Sequence, residues 1–464
     1  MARVRLHLDP RRYRSATALS SFRRSVARTA FFNIATTVTA GIAGIVIARS
    51  LGPAARGEYA AVTAWFTAAF TVGELGLTAA TTFFVARDAH LAPHYVSTAR
   101  NLLVASGVVV ASAGMLATPL LAPENGTVAG GYRIAFLTCL ASFLTVGYIA
   151  SMQASNINRW NLIRISQPAL YVATVTLLHL TGQLDLTTVV LAMSLTTVAQ
   201  TAMAYLLARG QRLTGGRADF GLARPIIRYG TAQLASSVPI LVTTRLDQLV
   251  LSLTVPSAAL GNYAIAATLA TLAGPLVAAL GHVAFPRLAS QALSSSGADR
   301  LQRSTVLAAA GVSGALTLVL AASAPWLIPT LFGADYRDAV TLVWLLAPGA
   351  AFAVCAQVCG DLLRGQGRPL AAARAQGAAA VAIVVLMAAL LPALGVVGAA
   401  IASTTANGLA LVMALGALRK ASAGGSTPPP PPAQPLPQPV VDGLSTPILS
   451  PPARRSMYRR RNQR

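Results

Sequence analysis

Thr63, Thr67, Thr71, Glu74, Thr78 and Thr81 recur at helical spacing inside an otherwise apolar run. At about 100° per residue they share an arc of about 80° on one helix face. A second polar face, spread over about 140°, carries Gln233, Ser236, Ser237, Thr243, Thr244, Asp247 and Gln248. Shorter polar lines hold Thr268, Thr271, Pro275 and His282, and Asn33, Thr36, Thr37 and Gly44. Hydroxyls and amides on one face can line a path for a polar ligand. A carboxylate among them can bind a proton or sodium. An ionised acid in a bilayer core costs about 2.5–3.5 kcal/mol, so Glu74 and Asp247 are expected to face water or a partner. The competing reading is that Thr and Ser bond back to their own helix or join neighbouring helices. Nothing points to covalent chemistry: there is no His-Glu-x-x-His, P-loop, Gly-x-Ser-x-Gly or pair of usefully spaced carboxylates. The chain is therefore not expected to be an enzyme, and no cofactor or metal is expected.

The elements that must carry these residues follow from composition. Hydrophobic residues make up 55% of the 464 residues, charged residues 11%, and mean hydropathy is +0.61. An average soluble chain carries about a quarter charged residues. Apolar stretches of about 20 residues recur along the whole length, each long enough to cross a bilayer as a helix. The spacing predicts twelve spans, at 30–50, 58–86, 98–121, 132–155, 160–181, 186–208, 229–253, 259–286, 303–331, 338–362, 370–391 and 395–418. Polar lines on spans 1, 2, 7 and 8 suggest a shared internal cavity, whereas span 11 is nearly unbroken Ala, Val, Ile and Leu and belongs near lipid. The candidate cavity or coupling residues are Asn33, Thr67, Thr71, Glu74, Gln233, Ser237, Thr244, Arg245, Asp247 and Thr271. Arg245 lies off the edge of the span 7 stripe, with cavity lining and snorkelling to the interface both open to it. His282 is expected at the interface. Cys139, Cys355 and Cys359 lie in apolar runs, read as buried or lipid-facing small residues with no disulfide framework.

A net charge of +23 suggests nucleic acid until the charges are placed. Arg3, Arg5, Arg11, Arg12, Arg14, Arg23, Arg24 and Arg28 precede the first span, and the even-numbered connections carry most of the rest. The odd-numbered connections hold only Arg49, Arg56, Arg133 and Arg337. By the positive-inside rule both termini are cytoplasmic, the basic residues face anionic lipid headgroups, and nucleic acid is excluded as a partner. The organisation reads as a basic N-terminal segment (1–29), a six-helix lobe (30–208), a basic linker (209–228), a second six-helix lobe (229–420) and a cytoplasmic tail (421–464). Ala16 to Ala30 are expected as an interfacial amphipathic helix. The Pro-rich, Arg-rich tail reads equally as a lipid-contacting segment or a spacer.

The two lobes also look duplicated. Arg49-Ser-Leu-Gly-Pro53 with Gly57-Glu-Tyr59-Ala60 reappears as Pro256 with Gly261-Asn-Tyr263-Ala264. In membrane transporters, repeated halves form the walls of a substrate pathway.

With Leu331-Phe-Gly-x-x-Tyr336, Leu363-Arg-Gly-Gln-Gly-Arg-Pro369 and Pro392-Ala-Leu-Gly-Val-Val-Gly-Ala-Ala-Ile-Ala402, these turns resemble the polysaccharide exporters of the multidrug/oligosaccharidyl-lipid/polysaccharide superfamily, the Wzx-type flippases. The resemblance covers about residues 28 to 420. It implies an all-α polytopic fold of two pseudo-symmetric six-helix lobes in a V. It also implies alternating access and a polyprenyl-diphosphate-linked oligosaccharide as cargo, in a bacterial cytoplasmic membrane. Coupling to a proton or sodium gradient and work beside a polysaccharide polymerase and glycosyltransferases are further expectations. A multidrug antiporter or a lipid II flippase of the same superfamily is the alternative. Span 1 lacks the Arg-Asp pair of the lipid II branch. A polymerase or glycosyltransferase would need a long external loop, which the sequence lacks, and a non-transporting scaffold is a further reading.

Overall fold

The computed structural model describes residues 10–88, 90–272, 274–289 and 295–423, and the regular structure in them is entirely helical. The elements are α1 (Pro10–Gly73), α2 (Leu77–Arg87), α3 (Ala92–Leu121), α4 (Gly126–Ser155), α5 (Ile157–Leu180), α6 (Leu186–Gly210), α7 (Phe220–Thr254), α8 (Ser257–Thr271), α9 (Gly274–Ala289), α10 (Ser295–Phe332), α11 (Ala339–Gly365) and α12 (Pro369–Ala423), with a 3₁₀ turn at Ala334–Tyr336. The tail from Gly424 onward lies outside the described residues.

A straight 64-residue α1 would measure about 95 Å, three times a hydrocarbon core of about 30 Å. It turns instead at Gly52, whose φ of 71° only glycine adopts freely, with Pro53 removing the next helical donor. α12 turns at Gly395 in the same way, after which Gly398 lies back against the Leu390 carbonyl. Among the described residues eight spans are long and apolar enough to cross a membrane, with α8 and α9 forming one of them, and the bent α7 makes nine. The turns within α1 and α12 each add a pass, and the Arg-bearing α5 supplies the twelfth. This is a polytopic membrane protein of two six-helix lobes.

Three details differ from the sequence reading. Phe220 to Arg228 are helical, so the linker shrinks to the segment between α6 and α7, where Asp219 caps the new helix through Gly221 N–H. The connection between the third and fourth spans, read at about residues 122–131, is only four residues, because Asn125 caps α4 through the Thr127 and Val128 N–H groups. Ala16 to Ala30 form no separate helix, since α1 is continuous from Pro10.

The bundle has a basic end, with Arg87, Arg159 and Arg209, and a far end with the turns at Gly52, Pro256 and Gly395. Toward the far end one hydrophobic core crosses both lobes, joining Ala48, Val62 and Tyr132 to Leu251, Tyr263, Tyr336 and Met387. Toward the basic end the core divides. One part holds Leu77, Phe84, Leu103, Phe143 and Met152, and the other Val277, Leu288, Cys359 and Leu362. The lobes are thus fused at one end, while at the other their cores are distinct except where the start of α7, through Ile226, packs on the first.

Candidate functional site

The far-end seam is built from the repeated turns themselves. Gly57 and Gly261, equivalent in the two halves, lie backbone to backbone. A Cβ on Gly57 would overlap the Ser257 carbonyl and stand 2.9 Å from the Gly261 nitrogen. A Cβ on Gly261 would overlap the Pro53 carbonyl and stand 3.1 Å from the Gly57 nitrogen. Around this contact the Tyr336 hydroxyl donates to Ala48 O at 2.9 Å, Arg49 donates to Thr330 O at 2.8 Å, and Trp65 Nε1 donates to Ser252 Oγ at 3.0 Å. Each bond joins one lobe to the other. The repeated turn sequences therefore close the far end of the cleft.

Toward the basic end the two sides of the cleft differ. On one side α2 meets α7: Gly76 and Gly230 pack closely, and the Phe83 and Tyr229 rings stack with centroids 4.8 Å apart. On the other side α1 packs on α8 but makes next to no contact with α9, the continuation of the same span. The lobes part there, between α1 and α9.

Below the fused core the polar residues divide between two cavities. The residues expected to share one cavity line two. The larger, of about 700 Å³, lies inside the second lobe among α7, α8, α10, α11 and α12. Thr244, Arg245, Asp247 and Thr271 line it, beside Gln248, Gln357, Arg364, Gln376 and Asn407. The smaller, of about 420 Å³, lies at the α2–α7 seam and is lined by Thr71, Glu74, Gln233 and Ser237. Asn33 and Thr67 line neither. Asn33 accepts a 3.0 Å bond from Arg164 on α5, within the first lobe, and Thr67 donates to Thr63 O at 2.7 Å. Span 1 contributes to neither cavity because its polar residues turn toward α5 or back onto their own helix.

Back-bonding accounts for most hydroxyls of the stripes, although that of Thr78 is buried without a hydrogen-bond partner. Thr63, Thr71, Thr243, Thr244, Thr268 and Thr271 each donate to a carbonyl one turn earlier. That satisfies the donor and leaves the oxygen lone pairs free to accept. The charged residues are the more distinctive features. Asp247 is buried, with Oδ2 accepting from the Tyr263 hydroxyl at 2.5 Å and Oδ1 accepting from the Gln248 N–H at 2.7 Å. Arg245 faces the same cavity and donates to Gln248 Oε1 at 3.2 Å, so it lines the cavity and does not snorkel away. Tyr59, the repeat-equivalent of Tyr263, bonds Tyr171 instead of an acid, at 2.8 Å. The duplication is chemically asymmetric.

Glu74 does not continue a helix stripe. It sits at the break between α1 and α2, where Leu75 and Gly76 have φ of 53° and 66°. Its Oε1 accepts from the Thr78 N–H at 3.2 Å, one of the donors the break exposes. The break rotates the following turn, so Thr81 is fully buried and bonded to Leu77 O, away from the cavity.

One charged group escaped the sequence reading. Asp361 on α11 is buried, pairs with Arg364, and lies 4.0 Å from His282 on α9, packed against the Gly281 backbone. His282 keeps an exposed side chain, as expected near an interface, but is joined to this group. The i, i+3 spacing of Asp361 and Arg364 was the available signal. Cys139, Cys355 and Cys359 are buried and unpaired.

A family model described as polysaccharide biosynthesis protein matches residues 22–292. By sequence the chain matches no curated protein. Its fold is that of solved superfamily transporters. An inward-facing multidrug resistance MATE family transporter of the MOP superfamily superposes with a TM-score of 0.69 at 15% identity, covering 84% of this chain and 95% of that one. Lipid II flippase MurJ, in an inward closed conformation, gives 0.68 at 11% identity, covering 84% and 87%. The eukaryotic MATE transporter AtDTX14 gives 0.61 at 12%, covering 86% and 96%.

Proposed function

The chain belongs to the polysaccharide biosynthesis protein family, and from that premise we propose that it flips a polyprenyl-diphosphate-linked oligosaccharide across a bacterial cytoplasmic membrane by alternating access. The observation that carries this reading is the uneven cleft: sealed at the far end and along α2–α7, parted between α1 and α9. An amphiphile whose headgroup enters a polar cleft while its chain stays in lipid needs an opening on the side of the bundle, not only at its end. With the basic end in the cytoplasm, that opening faces the inner leaflet, where the cargo is assembled. Arg245 and Arg364 supply cations for a diphosphate. Asp247 supplies a site for a coupling proton or sodium ion. Separation of the far-end seam, with closure between α1 and α9, would then expose the cargo outside.

Reporter domains fused after Arg300 and after Lys420 should both report cytoplasm; an external signal from either would break the two-lobe assignment. Deleting the gene should leave lipid-linked glycan on the cytoplasmic side and reduce the exported polymer. Normal polymer with lost resistance to cationic drugs would favour the multidrug antiporter.

A further inference from the structure

Gln357 on α11, and Gln376 and Asn407 on the two arms of α12, line the 700 Å³ cavity of the second lobe. None of the three side-chain amides makes a hydrogen bond to a described residue. Each amide offers two donors and an acceptor. Gln357 is exposed and Gln376 and Asn407 are half-buried, so all three amides open onto the cavity and stay free to bond a polar group that occupies it. Gln248 on α7 and the hydroxyls of Ser313 and Thr317 on α10 add uncharged polar groups to a wall otherwise built largely of aliphatic side chains. The charges are confined to Asp247 and Arg245 on α7 and to Arg364 near the basic end.

We propose that this cavity seats the sugar rings of the cargo, with Gln357, Gln376 and Asn407 reading their hydroxyls. The assignment rests on the oligosaccharide reading above and adds where the sugar sits. A sugar hydroxyl donates and accepts at once, as an amide does, so the two pair without stripping water from an ion. The volume falls within the range of small-molecule pockets and suits a short saccharide. Among the described lining residues none is aromatic, whereas an organic cation is held best over an aromatic face. The cavity at the α2–α7 seam, between the lobes, is smaller and carries Glu74 beside Phe83 and Tyr229. Of the two cavities, the one within the second lobe is the better suited to a neutral polyol.

The test uses the purified full chain and three probes: farnesyl diphosphate, the same carrier bearing an N-acetylhexosamine disaccharide, and tetraphenylphosphonium. Binding is read by tryptophan fluorescence. The wild type should bind the sugar-bearing carrier about tenfold or more tightly than the bare one, the scale of a few new hydrogen bonds. In Gln357→Met with Asn407→Leu, which nearly keep side-chain volume, that gain should disappear while bare-carrier affinity stays. Gln376→Met alone gives a milder version if the pair does not reach a wild-type melting midpoint. A gain that persists in these variants, or equal binding of both carriers by the wild type, overturns the assignment. Binding of tetraphenylphosphonium with neither carrier would instead sink the oligosaccharide reading, and this assignment with it.

Discussion

Gly261→Val is expected to stop transport while leaving a folded, membrane-inserted protein. The new side chain would meet the Pro53 carbonyl and the Gly57 nitrogen, and both are backbone atoms of the other lobe. Backbone held in a helix turn cannot rotate aside as a side chain does. Relief must come from moving the lobes apart at the far end. Overpacking of a tight contact costs about 1–3 kcal/mol, and every 1.4 kcal/mol shifts an equilibrium about tenfold. A penalty of that size, confined to the closed seam, biases the protein toward the state open at the far end. Gly57→Ala should act in the same direction. Gly44→Ala is the control, because a Cβ there meets nothing within 4 Å. Ala48 is fully buried, beside the Tyr336 hydroxyl bond, so the thiol of Ala48→Cys reports on opening of the seam. That thiol should resist an impermeant maleimide in otherwise wild-type protein and react in the Gly261→Val background. Wild-type export by Gly261→Val, with the introduced thiol still unreactive, would mean that this seam does not open during transport.

The second large effect is expected from Asp247→Asn. Asparagine keeps the shape and can still accept from Tyr263, so the buried hydrogen bond survives while the charge and the exchangeable proton are lost. Export should fall by at least about tenfold, since losing a coupling ion site removes the drive and not only an affinity. Accumulation in the membrane should be unchanged. Glu74→Gln should have a smaller effect, because Glu74 also serves as the local acceptor for the Thr78 N–H, a role glutamine retains. Arg245→Ala should weaken cargo binding while leaving Asp247 paired to Tyr263. Undiminished export by all three at matched expression would reduce these charges to structural groups and leave the transport reading on family membership alone.

The membrane architecture was legible in the chain before any folding, because each span is decided locally. A run of about 20 apolar residues must cross as a helix whatever its neighbours are. The turns at Gly52 and Gly395 were equally legible, since proline and positive-φ glycine stop a helix through their own covalent structure. The duplication was visible in Gly57 and Gly261 for the same reason: a turn sequence is a local signature. What those residues touch came only from the packed lobes. That the two glycines meet each other, and that Tyr336 reaches Ala48, depends on how two lobes pack over hundreds of residues of separation. A helical wheel placed Thr67 and Thr71 on one face but could not say that Thr71 opens on a cavity and Thr67 does not. It also ran straight through Glu74, where α1 breaks, and so misplaced Thr81. One expected cavity became two because a polar face fixes only a direction from its own helix axis. Whether four such directions converge is set by the tilt and rotation of each helix against its neighbours, which no local period encodes.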